Sequence, residues 1–157
     1  MALNSLKIYA RSAALTIEPQ SNRSRTFATI GIDAARKHSS GNTYEWANKV
    51  TVQVGERELP TVLAVLTGHL PECAFDYHGP ARNKSYTLRA QAGGLLVAVS
   101  SAETGCISVP VERPDVFRFA ALVLAQMQMN MQGLSGEDLL GLLGQCYQKS
   151  NSFNILG

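Results

Sequence analysis

The sequence predicts an α+β fold running four strands, helix, four strands, two helices. Three observations carry this. Apolar and polar residues alternate with a period of two over residues 6–54 and again over 73–109, the pattern of strands with one face in a core. Between them, Leu59, Val62, Leu63 and Leu66 recur at spacings of three and four, the stripe of a helix. After them, Val116–Ala125 is apolar nearly all round, with Arg118 its one charge, so its helix must be covered on more than one side. With 157 residues, 45% of them hydrophobic and 17% charged, the chain suits one globular domain, placed at 1–149, followed by a frayed tail at 150–157.

The elements follow in order. Leu6 and Ile8 alternate with Lys7, Tyr9 and Arg11 in a first strand, and Leu15 and Ile17 with Thr16 and Glu18 in a second. Ala28, Ile30 and Ile32 mark a third, and Val50, Val52 and Val54 a fourth. Residues 35–43 have loop composition, and Tyr44–Lys49 reads as an amphipathic strand with basic and aromatic side chains on one face. The first helix is expected over 56–67, with Pro60 tolerated in its first turn and Gly68 as its stop. Strands follow at 73–78, 83–91, 95–100 and 105–109, with turns at Ala92-Gly93-Gly94 and at 102–105. A long helix is expected over 114–132, and a shorter one over 136–148 capped by Ser135. The repeated order looks like a structural duplication, although no residue-level repeat accompanies it.

Charge is uneven along the chain. Residues 1–49 hold seven basic residues (Lys7, Arg11, Arg23, Arg25, Arg36, Lys37, Lys49) against Glu18, Asp33 and Glu45, a balance of +4. The rest holds seven basic and nine acidic residues, a balance of −2. A basic N-terminal part suits a polyanionic partner. Cys73, Cys106 and Cys146 have no framework spacing, which suits reduced thiols in a cytoplasmic compartment. His38, His69 and His78 are isolated, so neither a metal nor another cofactor is expected. The N-terminus lacks the pattern of a signal peptide, and no apolar run is long enough for a bilayer.

Single-stranded nucleic acid is held by basic side chains together with aromatic faces on which bases stack. The strand pattern puts Lys7, Tyr9 and Arg11 on one face of the first strand. It puts Lys84 and Tyr86 together on a later one, with Arg82 in register if that strand extends so far, and Lys49 opposite the valines of the fourth. For Tyr9 and Tyr86 the alternative is cross-strand pairing on a half-wet face. Trp46, the one tryptophan, is open to base stacking or to core packing, the commoner use of a lone tryptophan. The segment His78–Lys84 is a basic, glycine-containing loop suited to backbone contact, without the spacing of a nucleotide-triphosphate loop. Glu56, Glu58, Glu72 and Asp76 have no evident general-acid or nucleophilic partner, so no enzyme is expected. The all-round apolar helix is read as an oligomer interface through Val116, Phe119, Ala120, Leu122, Val123 and Met127, the alternative being a central helix fully enclosed by its own chain.

Ala13-Ala14-Leu15-Thr16-Ile17-Glu18-Pro19 and Tyr44-Glu45-Trp46 together resemble the signature of the Whirly single-stranded-DNA-binding proteins. In that family the corresponding stretches read Lys-Gly-Lys-Ala-Ala-Leu into Thr-Val-Glu-Pro, and Tyr-Asp-Trp-Ser-Arg-Lys. Pro71–His78 and Val109-Pro110-Val111 with the helix after it also resemble the family, in the same order. The resemblance covers about residues 6–133, leaving the helix at 136–148 outside. It implies two antiparallel four-stranded sheets packed crosswise, with C-terminal helices that form the centre of a homotetramer. It also implies single-stranded DNA passing over sheet faces and edges with little sequence preference. The trypanosome guide-RNA-binding proteins share that architecture. Ser12 joins the candidate contacts by its place in the first block. The family's two lysines fall here on Ala10 and Ser12, with Arg11 in place of the glycine. Assembly beyond the tetramer is therefore not expected. A bacterial, phage or mobile-element setting suits the sequence. Two alternatives remain open: an RNA-binding chaperone on the same fold, and an oligomer with a purely structural role.

Overall fold

A computed structural model of the chain describes residues 4–147; the expected tail at 150–157 lies outside the described residues. The first sheet contains β1 (Leu6–Tyr9), β2 (Ala13–Ser21), β3 (Ala28–Arg36) and β4 (Val50–Gln53). A short helix, α1 (Leu59–Leu66), leads to the second sheet: β5 (Glu72–His78), β6 (Lys84–Gln91), β7 (Gly94–Ser101) and β8 (Gly105–Glu112). Two helices follow, α2 (Arg113–Asn130) and α3 (Gly136–Cys146). Both sheets are antiparallel, four-stranded and in simple chain order. The α+β reading and the two four-stranded sheets thus stand.

The period of two decides which face is buried. Across the first sheet Leu6, Ile17, Ile32 and Val52 share one row, and Ile8, Leu15, Ala34 and Val50 the next. Across the second, Leu88 pairs with Val97 and Val97 with Val109. These inner faces meet: β8 packs against β2 and β3, and β4 against β6 and β7. Each fully buried aliphatic side chain there contributes ~1.5–3 kcal/mol. Gly94 is required at the start of β7, between β6 and β8, because any side chain would enter the Val111 carbonyl of β8.

Several local expectations change. The first strand stops at Tyr9, and Ala10–Ser12 form a tight turn closed by Ala10 N–H donating to the Ala13 carbonyl (2.9 Å). Arg11 and Ser12 are therefore exposed turn residues, and Arg11 does not lie on a strand face with Lys7 and Tyr9. The strand β3 runs on to Arg36, into the expected loop. Tyr44–Lys49 is not a strand. Tyr44 makes only a bridge to Lys37, and Trp46–Asn48 turns as a 3-10 helix before β4 takes up β3 at residues 31–34. The expected helix over 56–67 divides into a 3-10 turn at Glu56–Glu58 and α1, with Pro60 in the first turn. Ser135 caps α3 as expected, its hydroxyl accepting from the Asp138 N–H (3.0 Å).

The largest correction concerns α2. Phe119, Leu122, Val123 and Met127 are buried in the chain's own core, and Val116 and Ala120 are partly buried against it. The reason is geometric. The helix packs against α1, α3 and strands of both sheets, so most of its apolar circumference is enclosed within one chain. What remains outward is Phe117 (75% exposed) and Ala121, with Leu124 half-buried on the same side, and Met129 near the helix's end. Among the described residues no helix is long and apolar enough to cross a membrane.

Candidate nucleic-acid interface

The outer face of the first sheet begins with Lys7 and Tyr9, which alternate with buried Leu6 and Ile8. Tyr9 is 59% exposed and lies in register with Ala14, which in turn lies opposite Ala35. Tyr44 leaves the backbone beside Lys37, and its hydroxyl donates to the Ala10 carbonyl (2.8 Å). That reach carries its ring across the end of β2 and beside Tyr9, with centroids 5.5 Å apart. Trp46 continues the series 6.4 Å from Tyr44 and is half-buried. Three aromatic rings thus stand in a row around an open groove of about 610 Å³, which Asn42 and Thr43 complete. The row is fixed by a hydrogen bond and by 3-10 backbone, and it leaves ring surface open to a planar ligand.

Beside the rings runs a polar row, Lys7–Thr16–Asp33–Thr51. Asp33 sits low in it, nearly buried. Its carboxylate accepts from the Lys49 ammonium (3.0 Å) and the Thr51 hydroxyl (2.7 Å). Lys49 is thereby held over the sheet face with part of its charge balanced, and it keeps two free protons for a further acceptor. In the adjacent row Gln20 folds over Gly31, where a side chain would collide with its amide, and accepts from the Gln53 amide (3.0 Å). Lys7 and Arg11 are exposed, and Arg36 reaches across to the Cys106 carbonyl of β8 (3.0 Å). The first sheet therefore brings together Lys7, Tyr9, Trp46 and Lys49, with Arg11 and Ser12 in the turn next to Tyr9.

The second sheet does not supply the face expected of it. Tyr86 is 1% exposed, in register with Val99, which lies opposite Ile107, on the inner side. Its hydroxyl donates to Glu58 (2.8 Å), and its ring packs 5.5 Å from Phe75 and 5.3 Å from His78. The same carboxylate accepts from the Gly55 N–H (2.9 Å) and meets His78 Nε2 (3.0 Å). Burial, and then the Glu58 charge, push the Tyr86 hydroxyl far above the ordinary phenol range. Burial likewise pushes the neighbouring Cys73 thiol up to about 11. Lys84 has the same parity as Tyr86, so it too points inward, but at the sheet's end, where its ammonium donates to the Thr51 carbonyl of β4 (3.1 Å). Arg82 lies before the strand, in a turn closed by its N–H donating to the Gly79 carbonyl (3.0 Å). The true outer face carries Ser85 and Thr87 of β6, Ala98 and Ser100 of β7, and Cys106 and Ser108 of β8, with Arg89 at its margin.

Three residues of the groove, Tyr44, Asn42 and Thr43, were not among the sequence candidates. Tyr44 lies in the quoted Tyr-Glu-Trp motif, but its part depends on a reach to Ala10 that local pattern does not reveal. Asn42 sits in the loop between them and offers both a donor and an acceptor at the groove.

Neither a protein-family model nor a curated protein matches the sequence. Solved structures do match. The plant transcriptional regulator PBF-2 aligns over 98% of this chain and 97% of its own, at 20% identity and a TM-score of 0.59. WHY1 from Arabidopsis thaliana aligns over 82% and 91%, at 16% identity and 0.60. The trypanosoma bruciei MRP1/MRP2 structures align over 82% and 85%, at 14% identity and 0.58. The fold is Whirly-like, and the PBF-2 alignment extends beyond the roughly 6–133 that the sequence resemblance covers.

Proposed function

We propose that this Whirly-like chain is a non-enzymatic single-stranded-DNA-binding protein of low sequence specificity. The observation that carries the reading is the Tyr9–Tyr44–Trp46 row beside Lys7 and Lys49 on an open sheet face. Each ring offers a base ~1–3 kcal/mol of stacking, available to any base because every base has a flat face. Lys7, Arg11 and the free protons of Lys49 offer charge to the phosphates, and the Ser12 hydroxyl offers a hydrogen bond. Duplex DNA hides its base faces, so single strands are preferred. The Whirly-like fold of PBF-2, a transcriptional regulator, supports action on nucleic acid. The acids support a non-enzymatic role: Glu58 and Asp33 are engaged by Tyr86, His78, Lys49 and Thr51.

A homotetramer belongs to this reading, with its contact moved from the buried side of α2 to the outward side. Phe117, Ala121 and Leu124 repeat at helical spacing, and Leu140 and Leu142 of α3 are also exposed. Light scattering of the unmutated protein at micromolar concentration tests this, and a monomer would sink it. The unpaired thiols of Cys73, Cys106 and Cys146 favour the cytoplasmic setting, in which a bacterial or mobile-element protein would meet exposed strands.

Trp46 provides the test of binding, because it is the one tryptophan in the chain. Titration with oligothymidylate is expected to quench its fluorescence, with a log–log salt slope of about −0.7 per phosphate neutralised. A duplex of equal length is expected to bind more weakly. Competition by matched RNA measures any preference for the sugar, since nothing in the aromatic row excludes a 2′-hydroxyl. Absence of quenching and of binding by both DNA and RNA strands would leave the purely structural oligomer.

A further inference from the structure

The strand β5 contains one residue more than its partner can match. Phe75 lies opposite Tyr86 and His78 opposite Lys84, so three steps on β5 span two on β6. The extra residue makes a β-bulge. In a regular strand, residues three apart point to opposite faces; here Phe75 and His78 both turn inward, one onto the Tyr86 ring and the other onto Glu58. The two residues between them are displaced to the outside. Tyr77 is 75% exposed and has φ of +63°, the left-handed region, which is an outlier for a bulky side chain. A large apolar ring is thus held in water by a costly backbone conformation, an arrangement that clusters at binding sites.

The surroundings suit an anion. The loop after the bulge carries Arg82, also left-handed (φ +55°) and exposed, and then Lys84. Asp76 shares the outer side of the bulge, so Arg82 and Lys84 must carry any phosphate contact. The Lys84 bond to the Thr51 carbonyl draws this corner of the second sheet against β4, the strand that begins one residue after Lys49 and four after Trp46.

We propose that Tyr77 is a second base-stacking platform, and that a bound single strand leaves the Tyr9–Tyr44–Trp46 row, follows the β4 edge past Lys84, and lays a further base on Tyr77. This rests on the single-strand-binding reading above. The probe is a fluorescein-labelled oligothymidylate of about 16 nucleotides, the upper end of site sizes for one small binding domain. Its affinity is measured by anisotropy for the unmutated protein, Tyr77→Gly, Tyr77→Asn, Tyr77→Phe and Trp46→Ala. Tyr77→Gly and Tyr77→Asn are both compatible with a left-handed backbone, so the proposal predicts melting temperatures equal to or above the parent with affinity lower by about 5- to 150-fold. Tyr77→Phe keeps the ring and is expected to bind like the parent. If Trp46→Ala binds weakly while Tyr77→Gly and Tyr77→Asn bind like the parent, the second platform is overturned and the first site stands. If the unmutated protein does not bind the oligonucleotide, both fall.

Discussion

The two sheets share strand number, order and antiparallel pairing, yet their outer faces differ in kind. The first presents Lys7, Tyr9, Lys49 and a glutamine pair, with Tyr44 and Trp46 standing over one end. The second presents hydroxyls, alanine and a thiol, and turns Tyr86 and His78 inward onto Glu58, leaving Tyr77 outward only at the β5 bulge. Identical topology fixes where side chains can stand. Which sheet offers its regular-strand tyrosine to solvent is decided by parity along each strand: Tyr9 falls on the outward phase of β1, Tyr86 on the inward phase of β6.

The difference can be broken in a definite order of effect. Tyr86→Ala removes a fully buried ring and leaves a cavity, so it is expected to cost about 3–5 kcal/mol in denaturant unfolding while binding per folded molecule persists. A stable Tyr86→Ala protein without binding would return the site to the second sheet. Alkaline pH should also strike the second sheet. The Cys73 thiol is raised from about 9 to about 11 in the fold, so the folded state favours the protonated form. That stability is full below pH 9 and is lost as pH rises toward 11, by up to about 2–3 kcal/mol. Tyr86 adds a loss that begins near pH 10, where the unfolded phenol ionises. Chemical unfolding at pH 9 and 11 should show the drop, and Cys73→Ala should shrink it.

Tyr9→Ala reverses the pattern. It is expected to weaken strand binding by ~1–3 kcal/mol while stability changes by no more than about 0.5 kcal/mol. Lys7→Ala should weaken all sequences alike and make the salt slope shallower by about 0.7, one phosphate contact on a single strand. Smallest of all, Arg89→Ala, opposite Glu72 at the end of the second sheet away from Tyr77 and Lys84, should change anisotropy titrations hardly at all. A clear loss there would mean that the strand runs on past the Tyr77 corner across the outer face of the second sheet.

The strands were legible because burial on one face imposes alternation, and α2 because its apolar run is long. Its enclosure was legible only as the alternative to an interface: how much of a helix one chain can cover depends on where both sheets lie. The inward turn of Tyr86 was partly written in the chain, since Leu88 shares its phase and a leucine is the better guide to the buried side than the polar Lys84. Arg11 misled because the strand pattern continues in letters after the backbone has turned at Ala10. Tyr44 and Tyr77 lay beyond local reading. The first acts through a reach of 34 residues to Ala10, and the second through an extra residue that period counting treats as ordinary.

The last turns of α2 end against the first sheet in an unusual way. The Asn130 amide takes the place of a neighbouring strand, accepting from the Ala28 N–H (2.6 Å) and donating to the Ala28 carbonyl (2.8 Å). One turn earlier, buried Gln126 donates to the carbonyls of Gln20 (3.1 Å) and Thr29 (2.7 Å). Four hydrogen bonds thus weld the helix to the β2–β3 hairpin. Under mechanical load, tension pulling on that hairpin would pass into the helix through a stiff joint, so lever and platform would turn together as one rigid piece.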